Sequence, residues 1–222
     1  MTGEAHLDWL RSRRSIRVFA AREIGRDVLE RLLEAATTAP SSTNRQPWRF
    51  SVVTGRGLRR RIVGAVRERT EAMKAIIRRG HHGEEFGKYG DFFFEPLETA
   101  AAIVIPQYRS YPDLIAQLIE SGGGDPAAMP TAGAMQAELC STSAAIMTLL
   151  LQAHAEGVGS CWMAGPMVAR RDIEKLLGIE PPWRMVGAVA LGWPEAPPAD
   201  RPGRKPLDKV VTWYGDSDDA AR

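Results

Sequence analysis

The stretch that most restricts the fold runs from Thr131 to Glu156. Its centre, Ala144-Ala145-Ile146-Met147-Thr148-Leu149-Leu150-Leu151, is apolar on nearly every side of a helix. The pattern predicts one helix of roughly 25 residues, and a helix that is apolar all round has to be buried all round. A chain of 222 residues suits a single domain, 1–222. A subunit of that size has little interior with which to surround a helix completely. The stretch therefore points to the core of an oligomer interface. Ser141 and Ser143 lie on it, able either to bond back to the helix or to face a group held by a partner.

The remaining elements are read from periodicity. Residues 25–38 form an amphipathic helix with Val28, Leu29, Leu32, Leu33 and Ala36 on one face, and Pro40 stops it. Residues 58–79 carry a helical stripe of Leu58, Ile62, Val66, Met73 and Ile77 beneath a basic, solvated face. Val168 to Leu177 is a last amphipathic helix, ended by Gly178. Trp48–Thr54, Ala101–Tyr108, Val158–Met163 and Arg184–Gly192 read as four strands interleaved with these helices, which makes the class α+β or α/β. Ser121-Gly122-Gly123-Gly124-Asp125-Pro126 reads as a mobile loop and a candidate gate. The polar tail from Asp216 to Arg222 is expected to fray.

Several classes are disfavoured. The net charge of +2, with no basic stripe interleaved with aromatics, argues against nucleic acid as a partner. No run of about 18 apolar residues is present, so no membrane helix is expected. The first residues lack an apolar core of signal-peptide length. With only Cys140 and Cys161, no disulfide framework is expected, and the location is expected to be cytoplasmic. His81-His82-Gly83-Glu84-Glu85 places its polar residues in adjacent positions rather than on one face, and reads as a loop rather than a metal site. No Gly-x-Gly-x-x-Gly follows a strand and no Walker A motif occurs, which disfavours a Rossmann domain.

Two motifs carry chemistry. Arg13-Arg14-Ser15-Ile16-Arg17-Val18-Phe19 is a cationic cluster around a hydroxyl. Arg13 and Arg17 share a face on a helical turn, while Arg13, Ser15 and Arg17 share one in an extended run. Either geometry converges donors on an anion, and guanidinium forks match phosphate oxygens. The second motif is Ala39-Pro40-Ser41-Ser42-Thr43-Asn44-Arg45-Gln46-Pro47-Trp48. A helix stop accounts for Pro40 and Ser41 but not for Asn44, Gln46 and Trp48 at alternate positions. Together the two motifs read as two walls of one site for an anionic cofactor. Gly157-Val158-Gly159 ends the long helix and lets the backbone approach something closely. Cys161 lacks an evident His or Asn partner, which disfavours it as a nucleophile.

The Arg-Arg-Ser-Ile-Arg-x-Phe run, the Ala-Pro-Ser-Ser-x-Asn-x-Gln-Pro-Trp run and Gly157-Val158-Gly159-Ser160-Cys161-Trp162-Met163-Ala164-Gly165 together resemble the nitroreductase-like family of FMN-dependent oxidoreductases. So do Val186 to Pro194 and the basic Arg204-Lys205-Pro206-Leu207. The resemblance implies an α+β fold with a mixed, mostly antiparallel sheet flanked by helices, in an intertwined homodimer. It implies that residues 65–130 form a variable lid or insert region and that 194–222 wraps the partner. It implies that FMN is bound by Arg13, Arg14, Ser15, Arg17, Pro40, Ser41, Ser42, Asn44, Gln46, Cys161, Trp162, Met163, Ala164, Gly165, Arg204 and Lys205. Arg13, Arg204 and Lys205 would take the phosphate with Ser15 as a neutral donor, and Arg17 would tune the ring from its pyrimidine edge. Asn44 and Gln46 would reach the ring from the other subunit, and an N–H near Ala164 or Gly165 would face N5. The implied activity is ping-pong transfer of hydride from NAD(P)H through flavin N5 to a nitroaromatic, a quinone or an enone. The flavin would carry the chemistry without a catalytic side chain. Reductive dehalogenation, flavin fragmentation and a non-catalytic flavin sensor share these motifs.

Overall fold

The computed structural model describes residues 2–80, 90–129, 135–197 and 203–214. Residues His81–Glu85, read from sequence as a loop, and the tail from Asp216, expected to fray, lie outside the described residues. Helices are α1 Gly3–Ser12, α2 Arg26–Thr37, α3 Arg56–Ile77, α4 Glu95–Thr99, α5 Leu114–Ser121, α6 Ala137–Ala155 and α7 Arg170–Leu177. Strands are β1 Trp48–Val53, β2 Ala102–Arg109, β3 Gly159–Met163, β4 Trp183–Met185 and β5 Ala188–Gly192.

The strands form one five-stranded sheet in the order β1-β2-β5-β3, with β4 also paired to β2. All these pairings are antiparallel. A single parallel bridge, Ser15 with Ser160, adds the N-terminal segment to the outer side of β3. Alternation along the strands sorts the core into two layers. Ile103 and Ile105 of β2 and Ala188 and Ala190 of β5 face α3, α4 and α7, joined by Ile62, Val66, Leu97 and Ile173. Ala102 and Val104, with Val189 and Leu191, face α2 and α6, joined by Leu32, Ala36, Ile146 and Leu149. The sheet is thus sandwiched by helices, an α+β arrangement.

Two expectations are corrected. The long helix begins at Ala137 rather than Thr131, because Gln136 takes a left-handed conformation with φ of 51° that no α-helix can pass through. Residues 130–134 lie outside the described residues. The final strand is two strands, β4 and β5, interrupted at Val186–Gly187. Gly187 has φ of 134°, and a Cβ there would lie 2.6 Å from the carbonyl oxygen of Met163. Only glycine fits, and the break lets β3 approach. Within one chain α6 is covered on one side only. Ala145, Ile146, Leu149 and Leu150 are buried, while Met147 is 40% exposed and Cys140 is exposed.

The 65–130 region includes β2, the strand that pairs with β1, β4 and β5, as well as α5, which exposes Leu114, Ile115 and Leu118. Among the described residues no helix is long and apolar enough to cross a membrane.

Candidate functional site

The cationic segment is built from the end of α1. Helix α1 stops at Arg13, whose extended backbone (φ −60°, ψ 136°) starts a run that crosses the sheet. The Ile16 N–H donates to the Ser160 carbonyl at 3.0 Å, and the Ala20 N–H donates to the Trp193 carbonyl at 2.9 Å. This clips residues 15–20 between β3 and the end of β5. Gly159 explains the close approach: a Cβ there would lie 3.0 Å from Ile16. What the Gly-Val-Gly backbone approaches is thus the chain's own arginine segment.

The run is extended, so Arg13, Ser15 and Arg17 fall on one side of it. Arg13 and Arg17 both lie close enough to Cys161 to favour its thiolate, yet burial wins and pushes the thiol up. Cys161, 3% exposed, is an inert core residue rather than a nucleophile. Arg17 is exposed, and its Nη1 makes one bond, to the Ser15 carbonyl at 3.3 Å. Arg14 is used differently. Its Nη1 donates to the carbonyls of Arg11, Ser12 and Arg13 at 2.7, 3.1 and 3.1 Å. It caps the negative end of α1, so the expectation that it faces an anion meets a side chain already turned back on the helix.

The polar loop is held in an unusual backbone. Thr43, Asn44 and Gln46 have φ of 51°, 54° and 47°. Three left-handed non-glycine residues in one loop cost energy that the surroundings must supply. Two hydroxyls do so. Ser41 Oγ accepts from the Gln46 N–H at 3.0 Å, and Ser141 Oγ accepts from the Ser42 N–H at 3.2 Å. Ser141 and Ser143 also bond back to the Ala137 and Leu139 carbonyls, so the local reading of both holds. The amides of Gln46 and Asn44 are joined at 3.2 Å and exposed. Beside this loop, Tyr111 is stacked by Arg45 at 5.2 Å and Arg109 at 4.6 Å. A pocket of about 230 Å³ opens there between Thr43, Tyr111 and α5.

The two walls do not meet within one chain. The polar loop is pinned to Ser141 near the start of α6. Ser12, next to Arg13, is pinned 2.8 Å from His154 Nε2 at its end, and Trp9 packs on the same imidazole at 5.1 Å. Thirteen residues separate Ser141 from His154, or roughly 20 Å at about 1.5 Å per residue. No hydrogen bond or ion pair joins the two groups among the described residues. Within the single chain the two motifs therefore stand at opposite ends of α6.

Of the other expected residues, Trp162 and Ala164 are exposed at the end of β3, whereas Met163 is buried. Gly165 is required by the chain itself, since a Cβ would lie 2.3 Å from the Phe93 ring. Pro40 and Ser42 are exposed beside the half-buried Ser41, and Arg204 and Lys205 lie on exposed coil. Sequence reading missed the supports: Ser141 under the loop, the Trp9–Ser12–His154 latch and the Arg109–Tyr111 stack. Histidine at the last turn of a long helix was the one available signal.

The profile of the nitroreductase family matches residues 10–193. A 4-nitrobenzoate reductase from Nocardioides sp. (strain LMS-CY) is 27% identical over 231 residues, covering 95% of this chain and 90% of that protein. The crystal structure of a BluB-like flavoprotein from Clostridium difficile 630 superposes with a TM-score of 0.83 at 24% identity, covering 95% of this chain and 99% of that one. A nitroreductase with bound FMN from Desulfitobacterium hafniense DCB-2 superposes with a TM-score of 0.68 at 18% identity, covering 97% and 100%. With the antiparallel sheet sandwiched by α2 and α6 on one face and α3 on the other, and the family match running through the arginine segment, the polar loop and β3, the chain belongs to the nitroreductase family.

Proposed function

We propose that the chain is an FMN-dependent oxidoreductase that takes hydride from NAD(P)H and passes it to an oxidised organic acceptor in alternate half-reactions. The observation that carries this reading is the extended arginine segment laid against β3, with Arg13 and Arg17 beside Cys161. The donor set suits FMN. The Arg13 guanidinium and the Ser15 hydroxyl match a phosphate ester, and the primary amides of Asn44 and Gln46 match a polar ring edge. When bound, FMN supplies the ring that accepts and donates hydride. Arg13 and Ser15 bind the phosphate, with Arg204 and Lys205 closing on it. Arg17 places a cation at the polar edge of the ring, where negative charge is stabilised. Backbone at Ala164 and Gly165 borders the ring, and no side chain is required to supply a proton.

A second copy supplies Asn44 and Gln46, because in one chain they sit at the far end of α6. The active form is therefore a homodimer with sites at its interface. The exposed Met147 face of α6 suits that contact. So does the segment from Leu207 to Tyr214, in which Trp213 is 87% exposed and Tyr214 94% exposed. Tyr111 and α5 form the lid beside the ring. The acceptor is an aromatic nitro compound, a quinone or an enone; the first is supported by the name of the Nocardioides relative.

The test is an anaerobic absorption spectrum of the FMN-loaded protein before and after NADPH, then NADH. Bleaching of the flavin band by either donor is expected, and the faster one is the physiological reductant. Bound FMN that neither donor bleaches would redirect the reading to reductive dehalogenation, flavin fragmentation or sensing. Failure to retain FMN would overturn it.

A further inference from the structure

A second cleft lies apart from the site above. It measures about 700 Å³ and lies between the 19–23 segment, residues 56–67 of α3 and the 97–101 stretch. We propose that this cleft binds a phosphate-bearing small molecule, a nucleoside diphosphate or a ligand of similar chemistry, at a position separate from the flavin.

Charge is the first argument. Arg22, Arg56, Arg59, Arg60 and Arg67 line the cleft, opposed there by Glu23 and Glu98. Arg67 is paired with Glu98, and Arg22 lies over the Trp193 ring at 4.1 Å. Arg59 donates to the carbonyls of Thr54 and Ala100, which fix its guanidinium without neutralising it. Arg56 and Arg60 make no ion pair among the described residues. Two unpaired guanidinium groups and a third held rigidly by neutral acceptors thus share one concavity.

The arrangement is also unfavourable as it stands. Helix α3 starts at Gly55 with no side-chain cap and no acidic residue in its first turn. It places Arg56, Arg59 and Arg60 where the helix dipole is positive, the reverse of the stabilising order. Burial and the charge of Arg56 both hold the Arg59 guanidinium below its ordinary range, with Glu23 a smaller opposing influence. An anion in the cleft offsets both the repulsion between Arg56 and Arg59 and that between the arginines and the helix dipole. Arginine forks are the side chains suited to phosphate oxygens.

Shape selects the organic part. Phe19, Val63, Leu97 and Ala101 give the cleft an apolar wall, and its volume is in the range of small-molecule sites rather than of a bare ion. Gly64 also lines it, and a Cβ there would meet nothing within 4 Å. A nucleoside fits on this wall with its phosphates at Arg56 and Arg60.

The test is calorimetric titration of FMN-saturated protein, so that Arg13 and Arg17 are already occupied, with inorganic diphosphate and separately with ADP. Saturable binding of one ligand per chain is expected. ADP binding more tightly than diphosphate assigns the apolar wall to the nucleoside, and equal affinity assigns the cleft to the phosphates alone. The Arg56→Ala/Arg60→Ala variant, altered only at exposed positions, is expected to weaken binding at least about tenfold, since two charge-assisted contacts are lost. Gly64→Phe fills the cleft between Arg60 and Arg67 while keeping every arginine in place, and is expected to weaken ADP binding by a similar factor. Removing the same charge elsewhere, with Arg170→Ala/Arg171→Ala, is expected to leave binding unchanged. No binding of either probe overturns the proposal. So does binding that survives loss of Arg56 and Arg60, or that is lost with Arg170 and Arg171. If FMN itself is not retained, the Arg13→Ala/Arg17→Ala variant identifies any anion uptake at the other cluster, and the two readings fail separately.

Discussion

Arg14 and Arg17 stand three positions apart and have different uses. Arg14 spends Nη1 on three carbonyls at the end of α1, whereas Arg17 spends it on one. Arg14→Ala is therefore expected to lower folding stability by ~1–2 kcal/mol, read by denaturant unfolding, since it strips donors from a helix terminus. Arg17→Ala is expected to leave unfolding nearly unchanged. It should weaken FMN about tenfold to hundredfold and lower the potential of the bound flavin, because it removes a charged partner from the ligand. An unchanged potential and affinity would remove Arg17 from the site. In sequence the arginines form one undivided cluster. What separates them is where α1 ends and which way each side chain then points, and that is decided by the contacts of Trp9 and Ser12 with His154.

Whole elements were more readable than their edges. β2 and β5 alternate between the two core layers as their apolar runs require, and α2 follows its stripe within a residue at each end. The breaks were hidden because they depend on neighbours distant in sequence. Gly187 interrupts the last strand only because the Met163 carbonyl lies against it, and α6 starts late only because Gln136 turns left-handed. Support between elements carries two predictions. Ser141→Ala removes the α6 hydroxyl that holds the Ser42 N–H, costing ~1 kcal/mol. Because that bond restrains a strained loop, FMN affinity should fall with it, by equilibrium titration. Arg31 forms a two-pronged ion pair with Glu156, tying α2 to the end of α6. The Arg31 guanidinium, helped by Gln152, holds the Glu156 carboxyl down to about 2, against an ordinary value of 4.5. The stabilisation is thus complete above pH 4.5 and is lost as pH falls toward 2. Glu156→Gln should flatten that part of a thermal-midpoint profile against pH. A profile identical to wild type between those values would show the pair to be solvated.

At the scale of the molecule, the apolar character of residues 144–151 was the informative signal, because burial of such a helix on every side calls for more than one chain of this size. One chain covers only one side of α6, through α2 and the sheet, and leaves Met147 exposed. The same helix holds the arginine segment and the polar loop at opposite ends, so a site needing both draws one from each of two copies. The family match and the antiparallel sheet agree with the fold read from the motifs. Which copy contributes a group cannot be read in a sequence, because a motif shows only which groups are present. The most direct test is to co-express two differently tagged chains, one carrying Arg13→Ala/Arg17→Ala and the other Asn44→Ala/Gln46→Ala, and to measure FMN bound per purified mixed dimer. Each variant alone should retain little FMN. The mixed dimer should regain one tightly bound FMN, because one of its two sites then has all its donors and the other lacks Arg13, Arg17, Asn44 and Gln46 together. A mixed dimer that binds no more FMN than its parents would contradict a site shared between two copies.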